Sequence, residues 1–301
     1  MTFGALFTQV LGFFDKRFQI TYFLPSLLFW GVLIVIWYAG QGDVSAAAQL
    51  WTGAGTIWIV RLIAFFAWLV IFSNVLASQS QGLLRLYEGY WNFPGSGLFR
   101  RLGQRWHQRK LAQYDARSRL DPRQYQYIYF GYPLPTQPEQ VMPTQLGNIL
   151  KNSELYSYDR YQLDAVVMWP RLYNLFPASF AQAVIELRTG VDFMLVISFL
   201  SAALAFVSGI YLILVGASPS LFLLCFAGGL IVSWIAYRGA IGNAVLYAQQ
   251  IKVAFDLYRD DLLKQMRVPL PKTAAAERAT WSAVKEHLYN NRPPRWNYTD
   301  S

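Results

Sequence analysis

Charged residues are scarce in this chain. Asp, Glu, Lys and Arg make up 14% of its 301 residues, whereas apolar residues make up 54% and aromatic residues 17%. Soluble globular domains carry about 25% charged residues. The low charge fraction therefore disfavours a soluble protein and is typical of a chain that lies largely in a membrane.

Cysteine and histidine are also nearly absent. The one cysteine, Cys225, excludes a disulfide within the chain, and the two histidines are His107 and His287. The sequence contains no CxxC, CxxH, HExxH, GxSxG or P-loop motif. Carboxylates lie near an arginine between residues 154 and 164, but this pattern is more typical of a salt-bridged helix face than of an active site. We therefore expect no enzymatic activity, no cofactor and no metal site.

Long runs without charge are the main feature that is present. A helix needs about 20 apolar residues to cross about 30 Å of hydrocarbon. Residues 18–39 carry no charge, residues 57–77 carry only Arg61, and residues 193–237 carry none. The last run is too long for one crossing, and the GASPS sequence at 216–220 interrupts it with glycine and proline. The sequence predicts four transmembrane helices as two hairpins, 18–77 and 191–237.

The positions of lysine and arginine predict the orientation of these spans. The first connection, 40–56, contains Asp43 but no basic residue, and the connection between the last two spans contains no charge. Every basic residue except Arg61 precedes residue 18, lies between 78 and 190, or follows 237. Since basic residues concentrate on the cytoplasmic side, we expect both termini and the middle region to be cytoplasmic. A cleaved signal peptide is the alternative for the N-terminus, but the first apolar run is longer than a typical signal core.

The segments outside the spans have helical patterns. Residues 1–17 carry apolar residues at helical spacing, which predicts an interfacial helix, with an unordered start as the alternative. Residues 78–190 predict a mostly helical insertion, with a short strand or extended segment over 124–138 and helices over 144–155 and 158–175. The second of these helices is expected to be kinked or interrupted at Trp169–Pro170. A further helix is expected to begin near Pro177 and to enter the third span. The predicted fold is an all-α integral membrane protein with a helical cytoplasmic module.

The C-terminal part, 238–301, begins with a seven-residue apolar repeat. The two lines of the repeat are Ile241, Ala248, Phe255 and Leu262, and Ala244, Ile251 and Tyr258. The fourth span is therefore expected to continue as a helix to about Arg267. This helix packs either against the middle region or against another copy of the chain. Thr273 is expected to cap a last helix that ends near Tyr289, before a polar tail.

The segment 97–120 is rich in basic residues. Apolar residues at helical spacing form one edge of it: Leu98, Phe99, Leu102 and Trp106. Five basic residues are our candidates for contact with anionic lipid or another anion: Arg100, Arg101, Arg105, Arg109 and Lys110. Each basic residue near an anionic membrane contributes about 1 kcal/mol of attraction. The alternative is that these charges only set the topology; nucleic acid is not expected, because no recognisable binding module is present.

Two further sets of residues lie in the spans. Arg61 either extends to the outer headgroups or faces a pore and selects anions. Small residues four apart predict close packing of the last two spans. They are Ser201, Ala205 and Gly209 in the third span, and Cys225, Gly229 and Ser233 in the fourth.

Two functional classes remain. The first is a non-catalytic membrane anchor or accessory subunit that docks protein partners through its basic cytoplasmic module. The second is a homo-oligomeric anion channel, because the order of two spans, a long helical insertion, two spans and a tail is similar in layout to bestrophin channels. The resemblance is limited to this layout, and no bestrophin pore motif matches residues here, so no functional residues are carried over.

Overall fold

A computed structural model describes residues 15–42, 56–293 and 296. Within these residues the chain is helical and contains no β-strand. The predicted interfacial segment before residue 15 and most of the first connection, with Asp43, lie outside the described residues. The helices are α1 (Lys16–Gly40), α2 (Thr56–Ser78), α3 (Ser80–Glu88), α4 (Ser96–Leu120), α5 (Gln126–Gly131), α6 (Gln145–Tyr161), α7 (Ala165–Tyr173), α8 (Ala178–Leu214), α9 (Pro219–Gln265) and α10 (Ala274–Asn290).

Four of these helices are long and apolar enough to cross a membrane: α1, α2, α8 and α9. The prediction of four such helices is confirmed. Their outward faces carry exposed large apolar side chains, among them Ile63, Ile210 and Leu224, which are 62%, 61% and 71% exposed. A helix that is apolar all round suits hydrocarbon surroundings rather than water.

The chain folds into two compact units. We call Met1–Leu84 with Thr189–Ala240 the apolar unit, and Arg85–Arg188 with Ile241–Ser301 the charged unit. The apolar unit contains α1 and α2 and the apolar parts of α8 and α9. The charged unit contains α4 to α7, α10 and the C-terminal part of α9.

Aromatic rings join the helices of the apolar unit. Phe29 of α1 stacks on Phe72 of α2, with ring centroids 6.0 Å apart and planes 1° from parallel. Tyr211 of α8 stacks on Trp37 of α1 at 4.5 Å. The Tyr211 hydroxyl also donates a 2.6 Å hydrogen bond to the Trp37 carbonyl oxygen. Since aromatic pairs contribute about 0.5–1.5 kcal/mol beyond burial, these contacts hold α1 against both neighbours.

An ion pair links the beginning of α1 to α8. Arg17 Nη2 lies 3.2 Å from Asp192 Oδ2, and the Asp192 side chain is only 6% exposed. The two residues are 175 positions apart, so no local sequence pattern indicates that they pair. A buried carboxylate is stable only when a charge or hydrogen-bond donor compensates for its lost hydration.

The core of the charged unit is formed by α7, α9 and α10. Its fully buried members include Met168, Leu172, Phe255, Trp281 and Val284. Five residues of the heptad lines are buried by the chain itself: Ile241, Ala244, Ala248, Phe255 and Leu262. Ile251 and Tyr258, the other two, pack against the core as partly buried side chains. The repeat therefore serves packing within one chain, which was the first of the two alternatives.

Several helix ends are fixed by side-chain caps. Thr144 Oγ1 accepts a hydrogen bond from Gly147 N at the start of α6, and Asp164 Oδ1 accepts from Val166 N at the start of α7. Thr273 Oγ1 accepts from Ala276 N, so the predicted cap of the last helix is confirmed. Each such cap contributes about 1 kcal/mol to helix stability.

The expected strand within 124–138 is wrong. The segment instead forms a 3-10 turn, Pro122–Tyr125, followed by α5. Asp121 opens this turn, because its Oδ1 accepts a hydrogen bond from Arg123 N at 3.1 Å. The alternating tyrosines that suggested a strand lie on a short helix that buries Ile128, which is 1% exposed.

The helix expected over 158–175 is interrupted, but not at Trp169–Pro170. The chain breaks between α6 and α7 at Gln162, which has a left-handed backbone with φ of 60°. Pro170, where we expected the kink, lies inside α7.

Candidate functional site

Helix α4 is fixed to the charged unit by one face. On this face His107 and Leu111 are only 4% and 3% exposed. A Cβ atom at Gly103 would lie 2.5 Å from the Pro143 carbonyl oxygen, so only glycine allows this approach. His107 Nδ1 lies 2.8 Å from the Tyr132 hydroxyl. These contacts fix the rotation of α4 about its axis.

The state of His107 follows from its surroundings. Burial lowers its pKa to about 4, and the nearby Lys110 ammonium adds to this effect. The imidazole is therefore neutral at physiological pH. A neutral ring is compatible with the contact to the Tyr132 hydroxyl, because its Nδ1 can accept from or donate to this hydroxyl without adding charge to a buried site.

The opposite face of α4 is apolar and exposed. Leu98, Phe99, Leu102 and Trp106 are 63%, 57%, 54% and 55% exposed. At 3.6 residues per turn, these four side chains lie within an arc of about 100°, centred on the side of the helix away from His107. A row of exposed large apolar side chains is unusual for a surface in water and marks a contact site.

Basic side chains lie at several angles around this apolar row. At about 100° per residue, Arg105 and Lys110 lie about 20° beyond its two edges and Arg109 lies within it, whereas Arg101 is about 60° beyond one edge and Arg100 is near the direction of His107. Arg100, Arg101, Arg105 and Arg109 are all exposed, and Lys110 is half-buried. Lys110 Nζ lies 4.7 Å from the centroid of the Trp106 ring. We call the four apolar and five basic residues together the α4 surface. All five basic residues that the sequence singled out therefore lie on one helix, and three of them, Arg105, Arg109 and Lys110, lie within or next to the apolar row.

Arg61 lies on an outward face of the apolar unit. Its side chain is exposed, and its neighbours Val60 and Ile63 are 59% and 62% exposed. Within the described residues of this chain, Arg61 does not point into a bundle interior.

The small residues of α8 and α9 lie against each other. A Cβ atom at Gly229 would lie 2.8 Å from Ala205 Cβ and 3.0 Å from the Ser201 carbonyl oxygen. The Ser198 hydroxyl donates a 2.9 Å hydrogen bond to the Ser233 carbonyl oxygen. The two backbones approach closely at this point because neither helix has a large side chain there.

Two members of the small-residue set have other surroundings. A Cβ atom at Gly209 would lie 3.0 Å from the Phe226 ring, so this glycine accommodates an aromatic side chain. Cys225 is half-buried, and its thiol is unoxidised.

The sequence analysis missed a buried lysine in the charged unit. Lys252 of α9 is 2% exposed. Its Nζ donates a 2.6 Å hydrogen bond to the Tyr129 carbonyl oxygen and lies 4.1 Å and 5.2 Å from the ring centroids of Tyr129 and Tyr156. Burial lowers the pKa of Lys252 to about 8; the Arg160 charge lowers it further, and the Asp256 charge opposes the shift.

Asp256, one turn after Lys252, is held by two tyrosines. Its Oδ2 accepts a 2.9 Å hydrogen bond from the Tyr156 hydroxyl, and its Oδ1 accepts a 2.7 Å hydrogen bond from the Tyr161 hydroxyl. Burial raises the pKa of Tyr156, and the hydrogen bond to Asp256 raises it further, so the phenol remains protonated. The only sequence signal for this cluster was a lysine and an aspartate four apart beside the heptad lines.

A pocket of about 220 Å³ opens beside Lys252. It lies between α5, α6 and α9, and its polar lining includes Asn152, Asp159 and Arg160. A larger depression of about 480 Å³ lies between α6 and α10. There the Lys285 ammonium is already paired with Asp164 at 3.3 Å. The smaller pocket is therefore the better candidate for a ligand.

No family model, curated protein or solved structure matches this chain. Its function must therefore be inferred from its own residues, and the α4 surface and the Lys252 pocket are the main features from which we infer it.

Proposed function

We propose that this protein is a non-catalytic membrane anchor or accessory subunit. In this proposal the four apolar helices cross the membrane as two hairpins, and both termini are cytoplasmic. The charged unit lies on the cytoplasmic side and docks protein partners. The bias of lysine and arginine among the connections supports this orientation.

The α4 surface is the observation that carries the proposal. It combines exposed apolar side chains with exposed arginines on a helix whose other face is packed against the charged unit. Such a helix binds in the plane of a membrane interface, with its apolar side chains among the acyl chains and its cations at the phosphates. An anionic inner leaflet provides acyl chains for the apolar side chains and phosphates for the basic side chains. The α4 surface then holds the charged unit against the membrane. This contact determines which faces of the charged unit remain accessible to a partner protein.

Another face of the charged unit is available for a protein partner. Leu246, Val253 and Leu257 lie along one side of α9 and are 55%, 38% and 62% exposed. They lie away from the heptad lines that pack against the core. Exposed apolar residues in a row favour a contact with another protein.

A depth measurement tests the position of the α4 surface. With Cys225→Ala as the background, Leu102→Cys introduces one cysteine for a fluorescent label in the full chain, reconstituted in nanodiscs. We expect quenching of the label by lipid-bound nitroxide when the nanodiscs contain phosphatidylserine. The control is Ala275→Cys, at an exposed position of α10. Equal quenching at both positions, or quenching at neither, would contradict the proposed contact.

The number of copies of the chain and the presence of a partner protein distinguish the anchor proposal from the channel alternative. Gentle purification from native membranes should recover the anchor with a stoichiometric partner protein. Arg61 favours the alternative of a homo-oligomeric anion channel, because it is a cation on an outward apolar face where a second copy could bury it around a pore. Mass photometry that finds a closed ring of identical chains without another protein would replace the anchor proposal with the channel. A single copy with a partner would exclude the channel.

A further inference from the structure

Two cationic side chains line the pocket beside Lys252 without a direct ion pair to any described residue. Lys252 and Arg160 both line it, and among the described residues neither forms an ion pair with a carboxylate. The Arg160 guanidinium lies 5.0 Å from the Tyr156 ring centroid, and Lys252 Nζ lies 5.2 Å from the same centroid. Two cations thus approach one aromatic ring, and the Arg160 charge disfavours the charged form of Lys252. An anion placed between them would reduce this repulsion.

The nearby carboxylates are already engaged with neutral donors. Asp159 Oδ1 accepts a 2.8 Å hydrogen bond from the Gln137 side chain. Both oxygens of Asp256 accept hydrogen bonds from tyrosine hydroxyls, and Asp256 does not line the pocket. The charged groups of the lining are therefore Lys252, Arg160 and Asp159. Asp256 lies behind the lining, and because its charge acts on both Lys252 and Arg160, the cluster of two cations and two carboxylates is neutral as a whole.

Size and lining restrict the kind of molecule that fits. Since one water occupies about 30 Å³ in the liquid, a pocket of about 220 Å³ holds roughly seven waters, or a molecule of roughly nine non-hydrogen atoms. This is too small for a nucleotide. Ile128, Pro133, Leu134 and Leu155 provide apolar wall, and tyrosine rings provide more.

We propose that the Lys252 pocket binds a small organic acid as its monoanion. The carboxylate lies between the Lys252 ammonium and the Arg160 guanidinium, and the apolar body of the ligand lies against the tyrosines and aliphatic side chains. Lys252 has three N–H donors and gives one to the Tyr129 carbonyl oxygen, so it has donors for a carboxylate. A monoanion is favoured over a phosphate dianion, because Asp159 and Asp256 already offset much of the positive charge of Lys252 and Arg160. This site is independent of the proposed membrane contact.

A purely structural role for Lys252 makes a different prediction. If the ammonium only fixes the Tyr129 carbonyl oxygen at α5, its replacement destabilises the charged unit but no acid binds. Direct binding measurements separate the two roles.

The test is equilibrium dialysis of the full chain in detergent against radiolabelled benzoate, phenylacetate and hexanoate at millimolar concentrations and constant ionic strength. We expect saturable binding of at least one of these acids, with one molecule per chain. Benzamide, which matches benzoate in shape but has no charge, should not compete with it. Inorganic phosphate should compete weakly, because its dianion does not match the charge of the pocket.

Two variants locate the binding. Lys252→Met keeps the length of the side chain and should abolish saturable binding. Arg160→Gln, at an exposed position, should weaken binding at least tenfold and keeps the test valid if Lys252→Met does not fold. Lys264→Met is the matched control, because Lys264 is an exposed residue of α9 that does not line the pocket. The proposal is overturned if none of the three acids binds saturably, or if Arg160→Gln changes their affinity less than twofold.

Discussion

Removing charge from the α4 surface should weaken its contact with an anionic membrane. The perturbation is the simultaneous change of Arg100, Arg101, Arg105 and Arg109 to glutamine. All four side chains are exposed, so the substitutions remove charge without opening a cavity. Each basic residue near an anionic leaflet contributes about 1 kcal/mol, and the four together contribute at most about 4 kcal/mol. At about 1.4 kcal/mol per factor of ten, this limit is a change of about a thousandfold in the docking equilibrium.

The apolar row should retain part of the contact. Transfer of a fully exposed Leu or Phe side chain from water contributes about 1.5–3 kcal/mol. Since Leu98, Phe99, Leu102 and Trp106 are each a little over half exposed, they contribute roughly half of this value per residue. We therefore expect the variant to dock more weakly than the unmodified protein, and its docking should not depend on the salt concentration. In the unmodified protein docking should weaken between 0.1 M and 1 M salt, as the screening length falls from about 10 Å to about 3 Å.

The assay is lipid-nitroxide quenching of the label at Leu102→Cys, measured in phosphatidylserine nanodiscs over a salt series. A matched control lowers the net charge by four elsewhere, through glutamine at Arg123, Lys264, Lys272 and Arg292, which are also exposed. Quenching in the control should follow that of the unmodified protein. The reasoning is refuted if the α4 variant keeps the salt dependence of the unmodified protein, or if the control loses as much quenching as the variant.

Three further changes test the packing and electrostatics of the two units. Gly229→Leu should separate α8 from α9, because even a Cβ atom would lie 2.8 Å from Ala205 Cβ. The expected result is a lower thermal unfolding midpoint in detergent. Gly228→Leu is the control, because nothing lies within 4 Å of a Cβ atom added there. Burial raises the pKa of Glu88 to about 7, with Arg188 opposing, so the folded state binds this proton more tightly than the unfolded state. Its contribution to stability therefore falls as pH rises from 4.5 to 7, and Glu88→Gln should flatten the pH dependence of the unfolding midpoint in that range. Phe255→Ala should destabilise the charged unit by about 3–5 kcal/mol, measured by denaturant unfolding, because Phe255 is completely buried.

The long apolar helices could be predicted from the sequence because their signal is local. Each run exceeds the length that a membrane crossing needs, and GASPS at 216–220 separates α8 from α9. The predicted end of the helix near Arg267 lies two residues beyond the end of α9 at Gln265. Composition and turn residues alone decide features of this kind.

Contacts between distant segments could not be predicted in the same way. Nothing near Arg17 indicates that Asp192 lies 3.2 Å away in the folded chain. The tyrosines at 125, 127 and 129 alternate as in a strand, but Asp121 caps a turn that starts a helix. Lys252 reads as a solvated charge at the border of the heptad lines, and only the packing of α5 over α9 buries it. In each case tertiary packing decided what the local pattern left open.

The Arg17–Asp192 pair also has a consequence for biosynthesis. A ribosome adds about 5–20 residues per second, so a partner 175 positions later is made about 9–35 s after Arg17. Throughout that interval the Arg17 guanidinium lacks this partner, and α1 and α2 are joined by their own aromatic contacts. The ion pair therefore forms late, only after α8 has been synthesised. Once formed, it fixes the first two helices beside their final neighbours.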